Sequence, residues 1–131
     1  MSFAEFKIKT RADVVKMQSS LLKQESADKR FIALELADNM VDAGETGEIL
    51  INDIQIINRI DSKTKIDEIR EVVGKAAFFK KNGITDRVNG STDNKTDLGG
   101  KGLLSILHCG WDLDVQELSA GVCITATRCS S

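Results

Sequence analysis

The sequence predicts an α+β protein, a two-layer α/β sandwich with helices on one face of a mixed, mostly antiparallel sheet. Two observations carry that expectation. Apolar residues recur at helical spacing in several segments, while short segments between them alternate or run β-branched. Their order, β-α-α-β(β)-α-loop-α-β-β, mixes hairpin-like strands with helices instead of repeating single strand–helix units. The chain has 131 residues, of which 41% are hydrophobic, which suits one domain spanning 1–131 with one core.

Residues 5–9 alternate Phe6 and Ile8 with charged residues, the pattern of a half-buried strand. Thr10 or Asp13 can cap the helix that follows, in which Val14, Val15, Met17, Leu21 and Leu22 recur through about Gln24. Ser26 and Asp28 offer an N-cap for a second helix reaching about Val41, whose apolar residues include Phe31, Ile32, Leu34 and Leu36. Gly44 and Gly47 end it. Residues 48–60 are rich in isoleucine around Asn52-Asp53, which fits two strands joined by a tight turn or one long bent strand.

Ile66, Ile69, Val73 and Ala77 define the apolar stripe of a third helix over 63–80. Residues 82–100 carry few large apolar side chains and are too long for a plain connection, so a functional or a disordered loop is expected there. Gly100-Lys101-Gly102 opens a further helix through Leu103 and Leu107, closed by Gly110. Trp111, Leu113 and Val115 alternate with polar residues as a strand, and residues 122–128 form a last strand paired to it through the Ser119-Ala120-Gly121 turn.

Composition narrows the function classes. A net charge of −2 and a pI near 5.4 give no basic excess to draw the chain to nucleic acid or anionic lipid. No apolar run approaches the ~18 residues of a membrane span, and Met1-Ser2-Phe3-Ala4-Glu5 lacks a secretory pattern. The three cysteines include no Cys-x-x-Cys pair, and Cys123 and Cys129 lie too far apart along one strand to bridge. Cys109 beside His108 lacks a second ligand pair, so buried structural thiols are expected. These features together point to the cytoplasm.

Two constellations could carry chemistry. Glu35 and Asn39 stand four apart, which puts a carboxylate and a carboxamide on one face of a mostly buried helix. Such a pair must meet partners, water or a ligand. Asparagine suits a divalent cation or phosphate oxygens, and glutamate suits orienting or deprotonating a nucleophile. The second is the glycine run before a helix, where free N–H groups and the positive dipole end favour an anion such as phosphate.

Taken jointly, these residues resemble the GHKL family of ATP-binding domains. Glu35-Leu-Ala-Asp-Asn39 matches the family's Glu-x-x-x-Asn motif, and its continuation through Asp42 to Gly44 is similar to the gyrase and MutL types. Gly100-Lys-Gly-Leu103 matches the Gly-x-Gly-Leu motif that follows a lid, and His108-Cys-Gly110 with the final strands resembles the family's tail. In size and layout the chain is similar to small stand-alone anti-sigma-factor kinases of bacterial partner-switching systems, including the SiaB type.

The resemblance implies a set of roles. Glu35 is the catalytic base or orients the acceptor hydroxyl. Asn39 helps hold Mg²⁺ on ATP, and Gly99, Gly100, Lys101, Gly102 and Leu103 face the phosphates, with Asp42 completing the first motif. The loop of residues 82–97 is the lid. The family's middle motif, Asp-x-Gly-x-Gly, is replaced by Ile57-Asn58-Arg59-Ile60-Asp61, so Asn58 or Asp61 stands in for the adenine-reading aspartate. After the turn glycine, Val122 stands where many members have threonine. The implied function is an ATP- and Mg²⁺-dependent kinase acting on Ser/Thr of a STAS-domain partner, or binding a sigma factor, as a possible homodimer. The alternative is a binding module of the same fold without ATP turnover.

Overall fold

The computed structural model describes residues 4–83 and 100–129, with the side chains of Gly100 and Lys101 left aside. Among these residues the elements run β1 (Ala4–Ile8), α1 (Arg11–Leu21), α2 (Ala27–Asp42), β2 (Gly47–Ile51), β3 (Gln55–Ile60), α3 (Ile66–Lys81), α4 (Gly100–His108), β4 (Trp111–Glu117) and β5 (Val122–Arg128). The strands form one sheet in the order β1-β2-β3-β5-β4. All four pairings described are antiparallel, so no parallel pair of the expected mixed sheet occurs among the described residues.

Local sequence accounts for the boundaries. Thr10 and Asp13 act together as a capping box for α1, the Thr10 hydroxyl accepting from the Asp13 N–H and Asp13 receiving the Thr10 N–H. Ser26 occupies the N-cap position of α2, but its hydroxyl donates to Asp28 at 2.8 Å and caps nothing. Residues 48–60 form two strands. Asn52 Oδ1 receives the N–H groups of Ile54 (3.1 Å) and Gln55 (2.8 Å), and this Asx turn reverses the chain. Gly110, at φ 91°, supplies the left-handed residue that stops α4 before β4.

Register assigns one sheet face to the core. Phe6, Ile49, Asn58, Ile124 and Val115 make one cross-strand row, flanked by the row Ala4, Ile51, Ile56, Ala126 and Leu113. These apolar rows pack against Val14, Met17 and Leu21 of α1, Ile32, Leu36 and Met40 of α2, Ile69 and Val72 of α3, and Leu103, Ile106 and Leu107 of α4. The intervening residues Glu5, Lys7, Arg59, Asp112 and Asp114 are exposed on the other face. Two layers result, with the helices on one side of the sheet. No helix among the described residues is long and apolar enough to cross a membrane.

Three sequence expectations need correction. The α3 stripe is Ile69, Val72 and Ala76, while Ala77 is exposed and Ile66 and Val73 are only partly buried. Both sets fit a period of 3.6, and packing against α4 selects the second. Phe31 is exposed on α2, where Ala33 and Ala37 fill core positions instead. Of the thiols only Cys123 is buried; Cys109 and Cys129 lie exposed at the end of α4 and just past β5.

Candidate functional site

The site begins with α2. Its core residues Ile32, Ala33, Leu36, Ala37 and Met40 leave Glu35, Asp38 and Asn39 on the flank of the buried face, each half-buried. The Glu35 carboxyl is held above the usual glutamate range, first by burial, with Asp38 and Asp42 adding repulsion. The Asn39 amide works the other way, favouring the charged carboxylate. The contact is nonetheless too long or too bent for a regular hydrogen bond, because Asn39 Nδ2 is fully buried and meets no acceptor in good geometry. A buried amide without a partner is costly, which makes it a candidate ligand atom.

Helix α4 closes over this pair. A Cβ placed on Gly102 would lie 1.9 Å from Glu35 Oε2 and 2.2 Å from its Cδ. Only glycine lets the α4 backbone approach the carboxylate that closely. The two sequence motifs, 67 residues apart by the numbers 35 and 102, are therefore in direct contact.

Beside them lies a cleft with a free volume of about 30 Å³. Asn39, Met40, Asn58, Lys65, Ile69 and Leu103 are among its lining residues. Its walls are mostly apolar, with a few polar groups. Asn58 is 1% exposed and sits between Ile49 and Ile124 on the core face. Its Nδ2 donates to the Glu48 carbonyl at 3.3 Å and contacts Met40 Sδ at 3.4 Å. The other buried charged or polar residue described, Lys29, is accounted for by its ion pair with Glu25.

The structure thus brings Glu35, Asn39, Asn58, Gly102 and Leu103 together. Two expected residues fall elsewhere. Asp42 is exposed and, with Asp38, forms an ion pair to Arg11 at the start of α1. Asp61 lies exposed beyond β3, where its carboxylate accepts from the Thr46 hydroxyl at 2.8 Å, in a surface depression with Glu48, Arg59 and Gly121. Of the two stand-ins for the missing aspartate, Asn58 is the one in the cleft. Gly100 and Lys101 are placed on the first turn of α4. Gly99 and most of the expected lid, residues 84–99, lie outside the described residues.

Sequence reasoning missed Lys65 and Glu45, both in the cleft lining. Lys65 stands just before α3 and Glu45 just after α2. Their signal was their place beside helix ends that converge, which is invisible until the sheet order is known.

The donor set can be tested against Mg²⁺. No cluster of three or more His, Cys, Asp or Glu suited to a metal occurs among the described residues. Mg²⁺ on a nucleotide keeps several waters and needs only one or two protein oxygens. Asn39 lines the cleft beside Glu35, so one carboxamide oxygen is at hand there. That set fits a phosphate-borne cation and does not fit a protein-held one.

No family model, curated protein or solved structure matches the chain.

Proposed function

We propose that the chain binds Mg·ATP in the cleft between α2, α3 and α4 and transfers the terminal phosphoryl group to a serine or threonine of a protein partner. The observation that carries this reading is the contact of Gly102 with Glu35, which joins a carboxylate–carboxamide pair to a glycine-led helix start beside an apolar cleft. In this reading Asn39 supports the cation on the phosphates. The α4 start, Gly100 to Gly102 with Lys101 and Leu103, faces the phosphates, and Asn58 reads the base. Mg²⁺ supplies charge neutralisation on the transferred group. Glu35, its carboxyl held above the usual glutamate range by burial, orients or deprotonates the acceptor hydroxyl. Phosphoryl transfer needs mainly positioning and charge stabilisation, so few side chains suffice. The partner class implied by the GHKL resemblance is a STAS-domain protein or a sigma factor, in the cytoplasm of a bacterium.

A second reading has its own support. Beyond β3 the chain continues Asp61-Ser62-Lys63-Thr64 without the glycine pair of the GHKL middle motif, and Asp61 lies outside the cleft. A chain with that change could regulate a partner without ATP turnover.

Thermal unfolding with and without Mg·ATP separates the two. Nucleotide at ~100 times its dissociation constant adds about 2.7 kcal/mol, a rise in Tm on the order of 10 °C for a domain of this size. The kinase reading expects that rise, its loss in Asn39→Ala, and loss of transfer to a partner in Glu35→Ala with partner binding kept. No rise at millimolar nucleotide would sink it and leave the binding module.

A further inference from the structure

Two charged residues of the cleft have no partner. Glu45 and Lys65 both line it and both are half-buried, yet neither joins an ion pair or a side-chain hydrogen bond among the described residues. Nor do they pair with each other. Opposite charges in a mostly apolar cleft carry a desolvation cost that pairing would offset. Left apart, they hold a donor and an acceptor open for a ligand.

The backbone fixes where they stand. Along α2, Glu35 and Asn39 come first, and Ala43 lies ~12 Å beyond Glu35 at 1.5 Å per residue. Glu45 follows the helix. Next to it, the Thr46 carbonyl accepts the Asp61 N–H at 2.9 Å, which pins the start of the segment leading to Lys65 beside Glu45. Lys65, Ile69 and Val72 then line the cleft at the spacing of one α3 face, with Lys65 at its start. Both charges therefore belong to the end of the cleft remote from the Glu35–Gly102 contact. The free volume of about 30 Å³ is room for a water or two, so a nucleobase must displace lining side chains. Glu45 and Lys65, long and unpartnered, are the ones free to move aside and then meet it.

We propose that Lys65 and Glu45 read the base of the nucleotide and select adenine over guanine. The pairing rests on the nucleotide reading of the same cleft. A terminal phosphate at Glu35 and Gly102 leaves the base at the far end, where the two charges are. Lysine only donates hydrogen bonds and an ionised glutamate only accepts them, so the pair has a fixed polarity. Asn58 adds to the accepting side, because its Nδ2 is taken by the Glu48 carbonyl and Met40 Sδ, which leaves Oδ1 for the cleft. The acceptors thus gather along α2, and the lysine stands on α3. Adenine has an exocyclic amine beside the ring nitrogen N1. With the amine toward α2 and N1 toward Lys65, every group is matched. Guanine in that pose sets a carbonyl against the acceptors and an N–H against the ammonium, and polar groups left unpaired in this way reject the wrong ligand.

The test is calorimetric titration of the whole chain with Mg·ATP and Mg·GTP. The native chain is expected to bind ATP about tenfold or more tighter than GTP. K65M should weaken ATP about tenfold and leave GTP unchanged, and the exchange E45K/K65E should make GTP the tighter ligand. Circular dichroism checks each fold; if the exchange does not fold, K65M decides alone. A native chain that binds both nucleotides equally or prefers GTP would overturn the proposal and leave the nucleotide site standing. So would a K65M chain with the native ratio of affinities, since a lysine on phosphate, or one with only a structural role, treats both nucleotides alike. A folded exchange variant that still prefers ATP would do the same. A native chain that binds neither nucleotide sinks the nucleotide reading itself, and the base-reading pair with it.

Discussion

Glu35 is expensive to keep ionised where it is. Burial, then repulsion from Asp38 and Asp42, lifts its carboxyl above the ordinary value of 4.5. A carboxyl whose folded pKa exceeds its unfolded one favours the fold when protonated, and that advantage fades as pH rises through the folded value. Glu35→Gln keeps an uncharged head of the same shape. It should therefore be more stable than the native chain at neutral pH, with the difference vanishing below about pH 4. Urea unfolding of both proteins across that range checks this, and equal midpoints at neutral pH would remove burial as the cause. Gly102 sets the same carboxylate from the other side. Alanine there gains about 1 kcal/mol of helix propensity, but its methyl would displace Glu35 Oε2. Because the displaced atoms are the far end of a flexible side chain, stability should change little, while on the kinase reading proposed above phosphoryl transfer to a partner should fall about 100-fold, as a misplaced catalytic group predicts. Unchanged transfer with unchanged stability would separate Gly102 from the chemistry.

At the scale of elements, glycine positions sort by what surrounds them. A Cβ on Gly47 would lie 1.8 Å from the Arg59 carbonyl oxygen, inside the β2–β3 ladder. Backbone cannot swing aside, so Gly47→Ala should cost about 3 kcal/mol or more. Gly74, exposed on α3, would meet nothing within 4 Å, and Gly74→Ala should stabilise by about 0.5–1 kcal/mol. Chemical denaturation of the two variants reads both signs, and a destabilised Gly74→Ala would contradict the α3 placement. The sequence made most elements legible because their local signals agree. The Thr10–Asp13 box, the Asx turn at Asn52 and the left-handed Gly110 are each written within a few residues. The α3 stripe was misread by one position because Val72 and Val73, and Ala76 and Ala77, are adjacent apolar pairs. Periodicity alone could not choose between them, and contact with α4 did.

For the whole molecule, the pairing of Glu35 and Asn39 could be read from spacing, since four residues on a helix share a face. The meeting of Glu35 with Gly102 could be expected only by resemblance, because it depends on how α2 and α4 cross. The parts of the cleft made by Lys65 and Glu45 were not legible, since they come from chain ends that approach only in three dimensions. Asp42 stands outside the cleft lining for a related reason. It follows the helical face pattern, yet Arg11, 31 positions earlier, claims it along with Asp38. The sheet order has a consequence for how the protein is made. Of the described strands, β5 is synthesised last, yet it lies between β3 and β4 and pairs Ile56 with Ala126. Until it arrives, β3 stands as an open, isoleucine-rich edge, and the cleft lacks Ile124 from its lining. Through the synthesis of the described residues the sheet stays incomplete, and the cleft can close only once nearly all of them have emerged.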